Sequence, residues 1–391
     1  MTPEKKNVAL LSVCQGLLIT NNSILLTTNG LAGFALAADK SLATLPFTAF
    51  ILGAALTTMP ASLLMRRFGR RTGFMLGAVF GILGSLVCTA AMVTHNFWLL
   101  CGGAFLIGVY NANGQYYRFA AADSATASFK SKAISLVLAG GILGGLLGPE
   151  SSKHTKDWIV DAVFAGSYFS LSLFCLVSLV VLSRIQIPPL TAAEQRDKGR
   201  PLIEMARQPA FIVAVLSSVI GYGSMNLLMT ATPLAMSACQ HPFSAAALVI
   251  QWHVIGMYAP SFFTGALIKR FGVINMMLAG VCTSLCCVAV ALSGNAVINF
   301  WIALVMLGVG WNFMFVGGTT LLTECHTPSE RAKAQGINDT LIFLTMAASS
   351  LSSGLLFTLK GWVLMNQMAV PFLVLTGAAI AWLGYRRRHA R

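Results

Sequence analysis

Charge is scarce in this sequence. Only 10% of its 391 residues are Asp, Glu, Lys or Arg, against roughly a quarter in soluble domains. So few charged groups cannot cover the surface of a water-exposed chain of this length, which excludes an ordinary soluble enzyme or binding module. Lipid must be the solvent for much of the surface. No stretch reads GxxxxGK followed by Ser or Thr, so ATP bound in a phosphate loop is not the direct energy source. HExxH is missing too, as is a convincing Ser/His pair in facing helices, and no enzymatic activity is expected. The nine cysteines supply neither a disulfide framework nor a zinc site, because most lie inside apolar runs (Cys14, Cys88, Cys101, Cys175, Cys282, Cys286 and Cys287). There they read as small buried residues. No metal and no cofactor is expected. A cleavable signal peptide is not apparent: the first apolar run follows Lys5 and Lys6 but is too long and contains Asn21, Asn22 and Asn29, so it reads as a first membrane helix.

What the sequence does have is hydrophobicity, 56% of all residues. Apolar runs of about twenty residues fall at about 8–36, 42–64, 73–93, 97–117, 133–150, 159–183, 210–236, 245–268, 273–293, 298–322, 335–358 and 362–385. Most meet the roughly 20-residue length that crosses a hydrocarbon core. The fold expected is an all-α integral membrane protein of twelve transmembrane helices. Net charge is +14, and its placement excludes a nucleic-acid partner. Of 26 basic residues, 21 fall at the termini and in one alternating set of loops, at Lys5, Arg66, Arg67, Arg70, Arg71, Lys269, Arg270 and Arg386 among others. By the positive-inside rule both termini are expected in the cytoplasm, with membrane lipid as the surrounding partner.

The one long polar stretch, about 184–208, divides the chain into a six-helix segment at 1–183 and a second at 209–391, with 184–208 as a cytoplasmic linker. The halves resemble each other. SLLMRRFG at 62–69 matches GALIKRFG at 265–272, Gly108-Val109 matches Gly308-Val309, and Asn22 and Thr28 match Asn226 and Thr232. Offsets between 200 and 204 in three regions point to duplication. Two similar bundles can rock about a central site and expose it to each side in turn.

With this plan, the basic RRFGRR loop (66–71), its echo KRFG (269–272) and a glycine-rich fifth run, the chain resembles the major facilitator superfamily over essentially its whole length. The resemblance implies two pseudo-symmetric six-helix bundles and transport by alternating access. It departs from the family's loop motif at Ser62 and Arg66, and Lys269 stands at the acidic position of the second copy, so the usual charge relay is not assumed. Gly69 and Gly272 remain as tight turns flanked by cations, which can cap helix C-termini or simply set topology. In the fifth run Gly140, Gly144 and Gly148 recur every four residues, followed by Pro149, and form a helix-packing groove. The motif resembles one found in exporters, but Ser152 and Lys153 replace its following glycine pair.

Polar groups inside apolar runs are costly unless they face water or each other. Asn22, Asn111, Gln115, Tyr116, Tyr117, Asn226, Gln251, Trp252, Trp311 and Asn312 are candidates for a substrate cavity. The resemblance implies that the first, fourth, seventh and tenth helices line that cavity. Amides can orient a solute and aromatic faces can stack on it, while the alternative for each is a hydrogen bond to a neighbouring helix or simple packing. His253 is the candidate for proton coupling. Arg118 and Asp339 lie at similar depths near the cytoplasmic side and can pair across the bundles as a gate, or each can bond within its own half. The sequence thus reads as a proton-coupled secondary transporter of a small organic solute, acting as a monomer in a bacterial inner membrane. With few fixed charges nearby, the solute is expected to be an amphipathic or heterocyclic metabolite. A non-transporting receptor or a lipid flippase on the same scaffold is the competing reading.

Overall fold

A computed structural model describes residues 3–39, 42, 45–187 and 199–389. The described helices are α1 (Pro3–Leu36), α2 (Leu45–Phe68), α3 (Arg70–Val93), α4 (Phe97–Gly114), α5 (Tyr117–Asp123), α6 (Lys130–Ala139), α7 (Gly141–Thr155), α8 (Ala165–Leu182), α9 (Leu202–Ala206), α10 (Pro209–Ala238), α11 (Phe243–Tyr258), α12 (Ser261–Phe271), α13 (Val273–Leu292), α14 (Val297–Leu322) and α15 (Arg331–His389). Gly361, at φ 72°, breaks the last of these into two.

Among the described residues, nine helices are long and apolar enough to cross a membrane, fewer than the twelve runs of the sequence. Two of the other three runs carry polar residues or a helix break. α4 ends in Asn111 and Asn113. The run at 245–268 is cut at Pro260, which has no N–H to donate, into α11 of 16 residues and α12 of 11. The run at 335–358 lies within α15 and passes from Gln335, Asn338 and Asp339 into a charge-free stretch at 340–358.

The chain forms two compact units. The first comprises the described residues of Met1–Ala125, Gly140–Lys198 and Arg331–Phe343; the second comprises Thr126–Ala139, Gly199–Glu330 and Leu344–Arg391. Two short segments are therefore exchanged. The α6 region, from the first half of the sequence, packs in the second unit, and the start of α15 packs in the first. Hydrogen bonds fix both. In the second unit Ser131 Oγ donates to Gly265 O at 3.1 Å, and Ser135 Oγ donates to Ser261 O while accepting from Gly265 N. In the first, Ser62 Oγ donates to Ala332 O at 2.8 Å.

The sequence repeat reappears as backbone geometry. Gly69 sits at φ 87°, ψ 157° between α2 and α3, and Gly272 at φ 85°, ψ 153° between α12 and α13. Only glycine takes these angles without strain, so RRFG and KRFG end their helices by the same turn. Packing repeats as well. A Cβ at Gly108 would lie 2.8 Å from Ala54 N, and one at Gly308 would lie 2.7 Å from Met257 N. Where no hydrophobic force acts between helices, such close backbone approach is what holds them together.

Candidate solute-binding and gating residues

In the first unit, α1 and α7 meet through glycine. Cβ atoms built on Gly16 and Gly144 would lie 2.9 Å from Gly140 O and 2.5 Å from Thr20 N respectively, and one on Gly148 would lie 3.0 Å from Thr20 O. The side chain of Pro149 lies outside the described residues, as do residues 188–198 of the 184–208 stretch.

The buried face of α1 carries carboxamides at unequal levels of satisfaction. Asn21 Nδ2 donates to Cys175 Sγ at 3.1 Å, and Asn29 Oδ1 accepts from Tyr168 OH at 2.7 Å, so both are tied to α8. Asn22 Nδ2 donates to Asn111 Oδ1 of α4 at 2.9 Å. Asn21 Oδ1, Asn22 Oδ1 and Asn29 Nδ2 are shielded from solvent and have no hydrogen-bond partner among the described residues. Each such group costs about 1–3 kcal/mol.

Between α4 and α5, Tyr116 OH donates to Thr58 O at 2.8 Å, and Tyr117, which opens α5, packs edge-on to Phe74 with centroids 4.8 Å apart. Both tyrosines are fully buried. Arg118 is buried as well. Its Nη1 donates to Gln115 O at 2.7 Å and to Gln115 Oε1 at 3.1 Å, and its Nη2 donates to Asp339 Oδ1 at 2.5 Å. Gln115 is thus engaged in holding the guanidinium. Asn338 Nδ2 donates to the same aspartate oxygen at 2.7 Å, while Oδ2 has no donor among the described residues.

A second charged cluster escaped the sequence reading. Arg70 donates to Asp123 Oδ2 through Nε at 3.1 Å and Nη2 at 2.9 Å, and to Gln335 Oε1 at 2.5 Å. Arg331 reaches the same aspartate oxygen at 3.1 Å. The available signal was Asp123 itself, one of only 12 acids in a chain with 26 bases.

The second unit gathers aromatics around Trp311. Its indole stacks on Phe315 at 5.0 Å and 20°, and Tyr222 and Tyr258 meet it edge-on at 5.1 and 5.8 Å. The indole Nε1 is buried and has no acceptor among the described residues. Asn312 is the opposite case: Oδ1 accepts from Thr264 Oγ1 at 2.7 Å, and Nδ2 donates to Met257 O at 2.7 Å and Ser261 Oγ at 2.5 Å. It joins α11, α12 and α14 and has little left for a solute. Asn226 Nδ2 donates to Met346 O at 3.1 Å and Ser349 Oγ at 2.9 Å, tying α10 to α15. Gln251 and Trp252 are exposed on α11, the tryptophan edge-on to Trp301 at 5.5 Å. His253, the next residue, is fully buried; its Nδ1 donates to Leu304 O at 2.8 Å, and Nε2 has no partner among the described residues.

Outside the apolar helices, Arg200 grips Glu330. Arg200 N, Nε and Nη2 donate to the carboxylate at 2.9, 2.6 and 2.7 Å, and Thr327 N adds a fourth bond at 3.0 Å. The guanidinium holds the Glu330 carboxyl well below the usual carboxylate range. A recess of about 430 Å³, lined by Leu36, Asp39, His95, Asn96 and Trp98 among others, lies elsewhere. Residue 36 is about 21 Å along α1 from residue 22 at 1.5 Å per residue, so the recess lies away from the Asn22–Asn111 pair.

Amide donors and acceptors, aromatic faces and a few internally paired charges can hold and orient a neutral polar solute. The family model of the Major Facilitator Superfamily matches residues 11–251 and 214–391. The riboflavin transporter RfnT of Brucella anthropi is 42% identical over 376 residues, spanning 96% of this chain and 94% of that one. An uncharacterized MFS-type transporter of Bacillus subtilis, YddS, is 29% identical over 368 residues, 90% of this chain and 84% of that one. The crystal structure of the MFS transporter FucP, a fucose:proton symporter of E. coli, superposes with a TM-score of 0.76 at 15% identity, covering 97% of this chain and 99% of the other. A multi-pass membrane protein and a transporter of small molecules, this chain belongs to the major facilitator superfamily.

Proposed function

We propose that this transporter carries riboflavin, or a heterocycle of the same class, across a bacterial inner membrane by alternating access. The observation that carries the reading is the 42% identity to RfnT over nearly the full length of both chains. The residues present suit such a solute: riboflavin is neutral and amphipathic, and the buried polar groups on α1, α4 and α14 are amides, hydroxyls and aromatics rather than unpaired charges.

In this reading the repeats at 1–183 and 209–391 are the two moving bundles, each of six crossings, and 184–208 joins them in the cytoplasm with both termini. The monomer is the working unit. The bond between Arg118 and Asp339 forms when the cytoplasmic side is closed and breaks when it opens. A proton gradient drives the cycle through His253. Because Nδ1 faces a carbonyl it carries the ring hydrogen, so Nε2 is the lone-pair nitrogen that takes an incoming proton.

Purified protein in liposomes, given an inward proton gradient, is expected to accumulate labelled riboflavin, and a protonophore is expected to abolish accumulation. Riboflavin flux no faster than in protein-free liposomes would refute the substrate. Flux that persists unchanged with the protonophore would refute the coupling alone.

A further inference from the structure

We propose that the Asn22–Asn111 pair reads the N–H and adjoining carbonyl of a heterocyclic imide, accepting from the ring N–H and donating to the carbonyl oxygen. The inference rests on the transport reading above and specifies how the solute is recognised.

A carboxamide offers one carbonyl oxygen and one NH2 group. In this pair a single bond, Asn22 Nδ2 to Asn111 Oδ1 at 2.9 Å, joins the two side chains head to tail. What remains is one acceptor, Asn22 Oδ1, with no donor among the described residues. Beside it is one donor group, Asn111 Nδ2, on a side chain only 4% exposed. Exchanging oxygen and nitrogen on both residues swaps their roles and leaves the same array, so it does not depend on how the amides were assigned. A donor next to an acceptor is the complement of –NH–C(=O)–, the unit on the imide edge of an isoalloxazine ring.

The other carboxamides singled out above do not form such an array. Asn312 is filled by three bonds from three partners, and Asn226 donates twice to α15. Asn21 and Asn29 are turned onto Cys175 and Tyr168 of α8. The Asn22–Asn111 pair instead bridges α1 and α4 with a complementary donor and acceptor on adjacent side chains. A site that hydrogen-bonds a substrate N–H rejects the analogue lacking it, because its own buried polar groups are then left unpaired.

The test compares riboflavin with riboflavin methylated at the imide nitrogen, as competitors of labelled riboflavin flux in proteoliposomes. For the unaltered protein the methylated compound is expected to compete about tenfold more weakly, the scale of one net hydrogen bond. In Asn22→Leu, KM for riboflavin is expected to rise about tenfold while inhibition by the methylated compound stays the same, so the discrimination disappears. Asn111→Leu should likewise raise KM for riboflavin. If neither variant folds, the two flavins on the unaltered protein still decide the matter. Equal competition by both would overturn the inference while leaving riboflavin transport standing. If riboflavin is not carried at all, binding of lumichrome and uracil against their N-methylated forms replaces the flux assay. No preference for the N–H forms would then remove the inference together with the substrate.

Discussion

Removing either member of the Arg118–Asp339 pair is expected to destabilise the protein, and by unequal amounts. Breaking a buried ion pair from one side costs roughly 3–5 kcal/mol, because a charge is left without compensation. What each partner keeps decides where in that range it falls. In Asp339→Asn the guanidinium retains Gln115 O and Oε1 as acceptors at 2.7 and 3.1 Å and lies over the Phe119 ring at 4.5 Å. The loss should be near the low end, about 3 kcal/mol. In Arg118→Gln the carboxylate keeps Asn338 Nδ2 at 2.7 Å, while its second oxygen already lacks a donor among the described residues. That loss should approach about 5 kcal/mol. The double variant removes both charges and should cost clearly less than the sum, with a coupling of at least about 2 kcal/mol. Denaturant unfolding of the four proteins in nanodiscs measures all three values. Equal losses in the single variants, or a double variant equal to their sum, would refute the account of the pair. A separate readout addresses gating: exchanging the charges, Arg118→Asp with Asp339→Arg, should recover flux that either single reversal abolishes.

Gly144→Val places branched carbon where α7 touches the α1 backbone, with Thr20 N already 2.5 Å from a Cβ. It should cost about 1–3 kcal/mol and slow flux, and unchanged unfolding would show that the helices separate freely there. His253→Gln should leave folding intact, since an amide can still donate to Leu304 O, yet flatten the pH dependence of flux; a retained pH profile would exclude His253 as the sensor. Glu330→Gln tests the sign of a linkage. The Glu330 pKa is depressed in the folded protein from an ordinary value of 4.5. Its stabilisation is therefore complete above that unfolded value and fades as pH falls below it toward the folded one. With the Arg200 side chain 41% exposed, the variant should lose about 1–2 kcal/mol at pH 7 after allowing for solvent screening. The gap to the unaltered protein should narrow below pH 4.5 in unfolding measurements, and a gap that widens on acidification would contradict the assignment.

Hydropathy made the membrane character of the chain legible, and the RRFG and KRFG echoes made its duplication legible, because each depends on residues close in sequence. Gly69 and Gly272 end their helices at nearly the same angles for the same local reason. Arg118 and Asp339 could be matched because two opposite charges at similar depth in apolar helices have few other partners. The Arg70–Asp123–Arg331–Gln335 cluster was not legible, since its members come from three separate parts of the chain and each alone resembles a loop charge or a helix end. Nor was the exchange of α6 and the start of α15 between the units. The bonds that fix it run from serine hydroxyls to backbone carbonyls, and a carbonyl is present at every position of any sequence.

Asparagine shows why residue type alone could not rank the solute-binding candidates. The asparagines at 21, 22, 29, 111, 226 and 312 all lie buried or half-buried in apolar helices, and a sequence weighs them alike. Asn312 meets three partners and holds three helices together, so replacing it should be felt chiefly as lost stability. Among the described residues Asn22 bonds to another asparagine alone, and that bond leaves a donor and an acceptor side by side. A buried polar atom without a partner costs about 1–3 kcal/mol, and apolar residues filling the same space would avoid that cost. In the proposed recognition, a solute completes the pair during the transport cycle and offsets that cost. Replacing Asn22 should then affect flux much more than folding, the reverse of replacing Asn312.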